Sequence, residues 1–127
     1  MRNDERRLRH LTLPDGTAYR WSVRHRRMPD GRGREVLALH RDGTSVRVVF
    51  DEGPGRIAGT GFFHHTGLVH DEHGNSANLH EPAVVRAFVD EIRRRGDTSG
   101  ELNGWELLPA AAVTRPGPGD GPPAAGR

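Results

Sequence analysis

The sequence of residues 19–50 is YRWSVRHRRMPDGRGREVLALHRDGTSVRVVF. It contains three short segments rich in valine, leucine and aromatic residues, separated by the turn sequences PDGRG and DGT. Proline presets φ and glycine tolerates positive φ, so these turns favour sharp reversals of the chain. In the first segment Tyr19, Trp21 and Val23 alternate with polar residues, which is the pattern of a strand with one buried face. The stretch therefore predicts consecutive antiparallel strands.

The same pattern continues on both sides of this stretch. The turn PDG at residues 14–16 precedes it, and DEGPG at residues 51–55 follows it. Further along, the turn DEHGN predicts a short hairpin from Leu68 to Leu79. We expect the first four strands to pair in sequence as a meander, with the bounds Arg9–Leu13, Tyr19–His25, Val36–His40 and Val46–Phe50.

Residues 81–96, EPAVVRAFVDEIRRRG, contain the clearest helical pattern of the chain. Apolar residues recur at i, i+3, i+4 and i+7, which puts them on one stripe of a helix: Val85, Phe88, Val89 and Ile92. Proline suits the first helical position and glycine the left-handed cap, so we predict a helix over Pro82–Arg95. On its solvent side we expect the ion pairs Asp90–Arg94 and Glu91–Arg95.

The last predicted element is a strand over Gly104–Leu108, which would return to the sheet through Trp105 and Leu107. The predicted fold class is α+β: a meandering antiparallel sheet of about five to six strands with one C-terminal amphipathic helix packed on one face, in two layers.

The chain length of 127 residues suits one small domain. We assign residues 1–7 to a charged N-terminal extension, residues 8–109 to a single α+β domain and residues 110–127, which are rich in proline, glycine and alanine, to a disordered tail. The N-terminus lacks the apolar core of a signal peptide, and no apolar run approaches membrane-spanning length. We therefore expect a cytoplasmic protein that does not contact membranes.

Three segments together resemble a known family: HLTLPDGTAYRWSVR, FDEGPGR and NLHEPAVVRAFVDEIRRRG, followed by a tryptophan. The family consists of short Arg-rich α+β proteins from high-GC Gram-positive, actinobacterial genomes, and its function is unassigned. The resemblance covers roughly residues 8–108, and its motifs are turns, a helix start and a tryptophan. It therefore implies a fold and no activity.

The chain has nineteen arginines and neither lysine nor cysteine. The absence of lysine excludes a GxxxxGK[ST] phosphate loop and Schiff-base chemistry, and the absence of cysteine excludes thiolate nucleophiles, disulfides and Cys-ligated metals. The glycine-rich segment GPGRIAGTG, residues 53–61, opens no helix, so we interpret it as a connection that approaches other backbone closely. No GxSxG motif surrounds any serine. We expect no cofactor.

The arginines are distributed unevenly. Residues 1–34 hold ten arginines and four acids, whereas residues 35–112 hold seven arginines and twelve acids. The basic segment RHRRMPDGRGR would form a hairpin tip that could bind phosphates or enter a DNA groove. The simpler alternative is a solvated tip without a ligand. The candidate polyanion-binding residues are Arg24, Arg26, Arg27, Arg32 and Arg34.

Five of the eight histidines fall within residues 64–80, interleaved with acids. Imidazoles and carboxylates are ligands of zinc, nickel or iron, and three that converge would form a hydrolytic metal site. The candidate ligands are His65, His70 and His73, with Asp71 or Glu72 orienting a water molecule. The spacing matches no metal motif, so the preferred interpretation is an exposed histidine-rich loop without metal.

These features favour a small non-catalytic binding or interaction module whose partner is a protein, because no acid and base residues converge in the pattern. The first alternative is nucleic-acid binding through the arginine hairpin at residues 24–34. The second is a histidine-based metal-dependent hydrolase.

Overall fold

The computed structural model describes residues 8–59, 67–96 and 99–112. The helices are α1 (Pro82–Arg95) and α2 (Gly104–Ala112). The strands are β1 (Arg9–Thr12), β2 (Ala18–Arg27), β3 (Gly33–Arg41), β4 (Thr44–Asp51), β5 (Ile57–Ala58), β6 (Leu68–His70), β7 (Ser76–Asn78) and β8 (Gly100–Asn103). Among the described residues, β1 to β4 and β8 form a five-stranded sheet in the order β1-β2-β3-β4-β8, and β5 to β7 form a three-stranded sheet in sequence order.

The α+β class, the four-strand meander and the hairpin around DEHGN are confirmed. β1 to β4 pair antiparallel in sequence, and β6 pairs antiparallel with β7. The DGT turn between β3 and β4 has positive φ at Asp42 and Gly43, 51° and 79°, which is what the two-residue turn of a right-twisted hairpin requires. Turn chemistry therefore sets the register of the meander.

The hydrophobic core lies between one face of the five-stranded sheet and both helices. Phe50 of β4 is at its centre, because its ring makes edge-to-face contacts with Phe88 of α1, at 5.8 Å between centroids, and with Trp105 of α2, at 5.2 Å. The whole predicted stripe of α1 is buried in this cluster: Val85, Phe88, Val89 and Ile92. The same cluster includes Val69, Ala77 and Leu79, so the small sheet closes one side of the core.

Helix α1 has the predicted bounds and ends. Proline occupies its start, and Gly96 caps it in the left-handed conformation at φ 81°. The predicted ion pairs differ in part: Asp90 binds Arg86 instead of Arg94. Glu91 is buried and accepts hydrogen bonds from both Arg94 and Arg95, so it does not belong to the solvent side.

The prediction of a strand over Gly104–Leu108 is wrong, because these residues begin α2. The strand lies earlier, in β8, and pairs parallel to β4, so the sheet is mixed and the single-helix prediction is also wrong. Asn103 caps α2, since its Oδ1 accepts the backbone N–H of Trp105 at 3.0 Å. Helical spacing then buries one stripe of α2: Trp105, Leu108 and Ala111.

The predicted tail begins too early, because residues 110–112 still belong to α2. Residues 113–127 and the predicted extension at residues 1–7 lie outside the described residues. Neither described helix has the length and hydrophobicity of a membrane-spanning segment.

The carboxylate of Glu91 makes stability depend on pH. Hydrogen bonds from Arg94, then from Arg95, lower its pKa from 4.5 to about 2. Because the folded-state pKa is lower than the ordinary value, the stabilisation is present above about pH 4.5 and is lost as the pH falls towards 2. We expect Glu91→Gln to have a lower melting temperature than the parent protein at pH 7. Near pH 2 the two melting temperatures should be the same.

Thermal melts between pH 2 and 7 measure this difference. Glu106→Gln is the matched control, because Glu106 is an exposed acid of α2 with no side-chain ion pair among the described residues. If the difference in melting temperature between Glu91→Gln and the parent protein stays constant with pH, the charge of Glu91 is not responsible for the stabilisation.

Candidate binding surface

The five-stranded sheet has a second face, directed away from the core. Every second residue of each strand points to this face, and the register shows which residues of neighbouring strands lie side by side on it. We call it the arginine face. Its members are His10, Thr12, Ala18, Arg20, Ser22, Arg24, Arg26, Arg34, Val36, Ala38, His40, Ser45, Arg47, Val49, Asp51, Glu101 and Asn103.

The arginine face carries five guanidinium groups and two carboxylates, an excess of three positive charges. Both carboxylates lie towards the β4–β8 side. Asp51 accepts two hydrogen bonds from Arg34, at 2.5 and 3.1 Å, and Glu101 pairs with Arg47 at 3.3 Å. β2 therefore carries three of the five arginines of this face and neither of its carboxylates.

β2 places its three outward arginines, Arg20, Arg24 and Arg26, at positions that alternate along the strand with core-facing residues. From the rise of an antiparallel strand, the Cα atoms of Arg20 and Arg24 are about 13 Å apart, and those of Arg24 and Arg26 about 7 Å. All three residues are exposed. Beside them, Val36, Ala38 and Val49 are buried without belonging to the core cluster, so the centre of the face is close-packed.

The five predicted arginines do not share one surface. Arg24, Arg26 and Arg34 lie on the arginine face. Arg27 has the opposite parity and donates to the carbonyl of Gly31 at 2.7 Å. Arg32 lies in the turn and pairs with Asp30 at 2.8 Å. The hairpin tip therefore uses two of its cations to hold its own turn.

Of the predicted metal ligands, His65 lies outside the described residues. His70 is exposed at the end of β6, directly before the DEHGN turn, and His73 is exposed within that turn. Among the residues that the structure describes, no three His, Asp or Glu side chains are placed to hold a metal ion. The metal site stays a prediction that depends on His65.

The two acids proposed to orient water have structural partners. Asp71 is buried, and its Oδ1 accepts the backbone N–H groups of His73 and Asn75, both at 2.9 Å. Glu72 pairs with Arg56 at 3.3 Å. Asp71 therefore holds the turn in shape, as aspartate commonly does at such turns.

Sequence reasoning missed a contact between a buried acid and a partly exposed histidine. Glu35 of β3 is fully buried, and its Oε2 lies 2.6 Å from Nδ1 of His25 on β2. Its Oε1 has no hydrogen-bond partner among the described residues. Burial raises the pKa of Glu35, against the opposing effects of His25 and of the backbone N–H of Gly67.

The glycine-rich segment covers this pair. A Cβ at Gly59 would lie 2.6 Å from Oε2 of Glu35 and 2.9 Å from Nδ1 of His25, so only glycine fits there. The segment also approaches other backbone closely, as expected, because a Cβ at Gly33 would lie 2.8 Å from the carbonyl oxygen of Ala58 and the N–H of Gly59 donates to the carbonyl of Leu68 at 2.7 Å. A carboxylate at Nδ1 orients an imidazole for acid–base chemistry. No hydroxyl group is hydrogen-bonded to His25 in the described ranges, so the pair lacks a nucleophile there.

A second unpredicted contact joins Ser45 and His40 on the arginine face, with 2.9 Å between Oγ and Nδ1. Both side chains are on an open sheet surface. No carboxylate orients this histidine among the described residues, so the pair does not complete a catalytic triad.

No protein-family model matches the chain, and no curated protein or solved structure matches it. A function for this protein therefore has to come from the chemistry of its own residues.

Proposed function

We propose that this protein is a non-catalytic binding module that holds the phosphate backbone of a nucleic acid against the arginine face. The observation that supports this most directly is the row of three exposed arginines on the outward side of β2: Arg20, Arg24 and Arg26. Guanidinium groups bind phosphate oxygens with two parallel hydrogen bonds. Their position on a strand, between paired neighbours, fixes their spacing better than a loop would.

The composition of the arginine face favours phosphate contacts over base contacts. Its outward residues include no tryptophan, tyrosine or phenylalanine on which bases could stack. A protein partner, preferred from the sequence, is less favoured here. Protein interfaces are enriched in aromatic residues and methionine as well as in arginine, and the arginine face contains only the last of these. Binding through phosphates alone would be independent of base sequence.

Affinity is expected to fall steeply with salt, because each neutralised phosphate releases counterions. Three phosphate contacts on duplex DNA correspond to a loss of about 40-fold between roughly 50 and 200 mM salt. Fluorescence anisotropy with labelled duplex and single-stranded oligonucleotides of mixed sequence measures this dependence.

Two double variants test whether the nucleic acid binds at the arginine face or at the hairpin tip. Arg20→Gln/Arg26→Gln changes the arginine face, and Arg27→Gln/Arg32→Gln changes the hairpin tip with the same loss of charge. We expect the first to weaken binding and to reduce the salt slope by about two, and the second to leave the slope unchanged. Equal weakening by both variants, or no binding by the parent protein at low salt, would contradict the proposal.

A further inference from the structure

A cavity of about 400 Å³ opens on the core side of the five-stranded sheet, where β2, β3 and β4 meet the second half of α1. Its apolar lining is buried and belongs to the hydrophobic core: Leu39, Val46, Val89 and Ile92. Its polar lining consists of Tyr19, Arg41, Thr44 and Arg93. The volume is within the range of roughly 300 to 1,000 Å³ that small-molecule sites occupy.

The lining contains two guanidinium groups and no carboxylate. Arg41 follows Leu37 and Leu39 on the core-facing parity of β3, where a further apolar residue would be expected. Its guanidinium carbon lies 5.8 Å from the ring centroid of Tyr19, so the cation is held at the edge of the cavity.

The acids nearest to these two arginines compete weakly for them. Asp42 lies 4.0 Å from Arg41 and is 88% exposed. Asp15 pairs with Arg93 at 3.0 Å and is half exposed. Exposed pairs of this kind contribute little, because water solvates both charges. An anion in the cavity could therefore bind both guanidinium groups at a low electrostatic cost.

We propose that this cavity binds a carboxylate with an apolar body of medium length, such as a medium-chain fatty acid. The apolar body would lie on the buried side chains, and the carboxylate would accept hydrogen bonds from Arg41 and Arg93 at the rim. Charge-assisted hydrogen bonds from guanidinium to carboxylate are among the strongest in proteins. The hydroxyl groups of Tyr19 and Thr44 supply further donors.

This site is independent of the proposed nucleic-acid surface. Arg41 has the opposite parity to Arg20, Arg24 and Arg26, and therefore lies on the other side of the sheet. A ligand in the cavity would touch none of the residues of the arginine face.

Calorimetric titration with decanoate, decanol and acetate tests the proposal on the full chain. Decanoate should bind saturably. Decanol lacks the carboxylate and acetate lacks the apolar chain, so each should bind at least tenfold more weakly. Arg41→Gln/Arg93→Gln should weaken decanoate binding at least tenfold. Arg20→Gln/Arg26→Gln, with the same charge loss, should leave it unchanged.

A second variant, Thr44→Trp, would fill the mouth of the cavity from an exposed position and should also abolish decanoate binding. Circular dichroism of each variant confirms that it is folded. The proposal is overturned if decanol binds as tightly as decanoate, if acetate alone binds equally well, if decanoate fails to bind, or if folded Arg41→Gln/Arg93→Gln retains full affinity.

Discussion

Replacing Phe88 by alanine is expected to lower the free energy of unfolding by about 3 kcal/mol or more. The side chain is fully buried, and its ring contacts Phe50 edge to face. The substitution removes this contact and leaves a cavity between α1 and the sheet, which the surrounding strands can fill only in part. Denaturant unfolding, followed by circular dichroism, measures the loss.

Ile57→Ala provides the control for this prediction. Ile57 is about half exposed on the small sheet, so its truncation removes apolar area without creating a cavity. We expect its effect to stay below about 1 kcal/mol. An unchanged melting temperature in Phe88→Ala would mean that α1 does not pack on the sheet as described.

Replacing Gly59 by alanine is expected to destabilise the protein by about 3 kcal/mol, through two separate effects. Gly59 has φ 78°, and a side chain in this left-handed region costs about 1 kcal/mol. The new Cβ would also lie 2.6 Å from Oε2 of Glu35. Since Glu35 is fully buried and bonded to His25, it cannot move away without breaking that contact, which adds about 2 kcal/mol.

Gly74→Ala separates the two effects. Gly74 has φ 87°, and a Cβ there would meet nothing within 4 Å. It therefore experiences the backbone strain without the steric clash, and we expect a loss of about 1 kcal/mol. If Gly59→Ala and Gly74→Ala lose the same free energy of unfolding, the side chains of His25 and Glu35 can move away from the new Cβ without cost.

The parts of the fold that were predictable from the sequence depend on local rules. The alternation of Tyr19, Trp21 and Val23 identified the core-facing side of β2, and the DGT turn identified the β3–β4 hairpin. The same alternation continues to His25, and Glu35 shares its parity with Leu37 and Leu39 on β3. An acid at a core-facing position is therefore a signal for the His25–Glu35 pair, but the predicted strand began at Val36 and left Glu35 outside it.

The C-terminal error has a local cause as well. Trp105 and Leu107 alternate like strand residues, and Pro109 favours a break, yet Asn103 with Glu106 three residues later is typical of a helix start. The parallel pairing of β8 with β4 has no such local signal, because it joins distant segments. The arginine face depends on that same sheet, since only the register shows which arginines share a surface.

The parallel pairing of β4 with β8 has a consequence for the order in which the chain folds. The meander closes short loops, whereas residues 52–99 separate β4 from β8 in sequence, so their pairing closes a much longer loop. Longer loops have a larger entropic barrier to closure, and distant contacts form late. The meander is therefore expected to act as the nucleus, with β8 and α2 docking last. During refolding, the amide hydrogens of β2, β3 and β4 are therefore expected to become protected from exchange with solvent before those of β8 and α2.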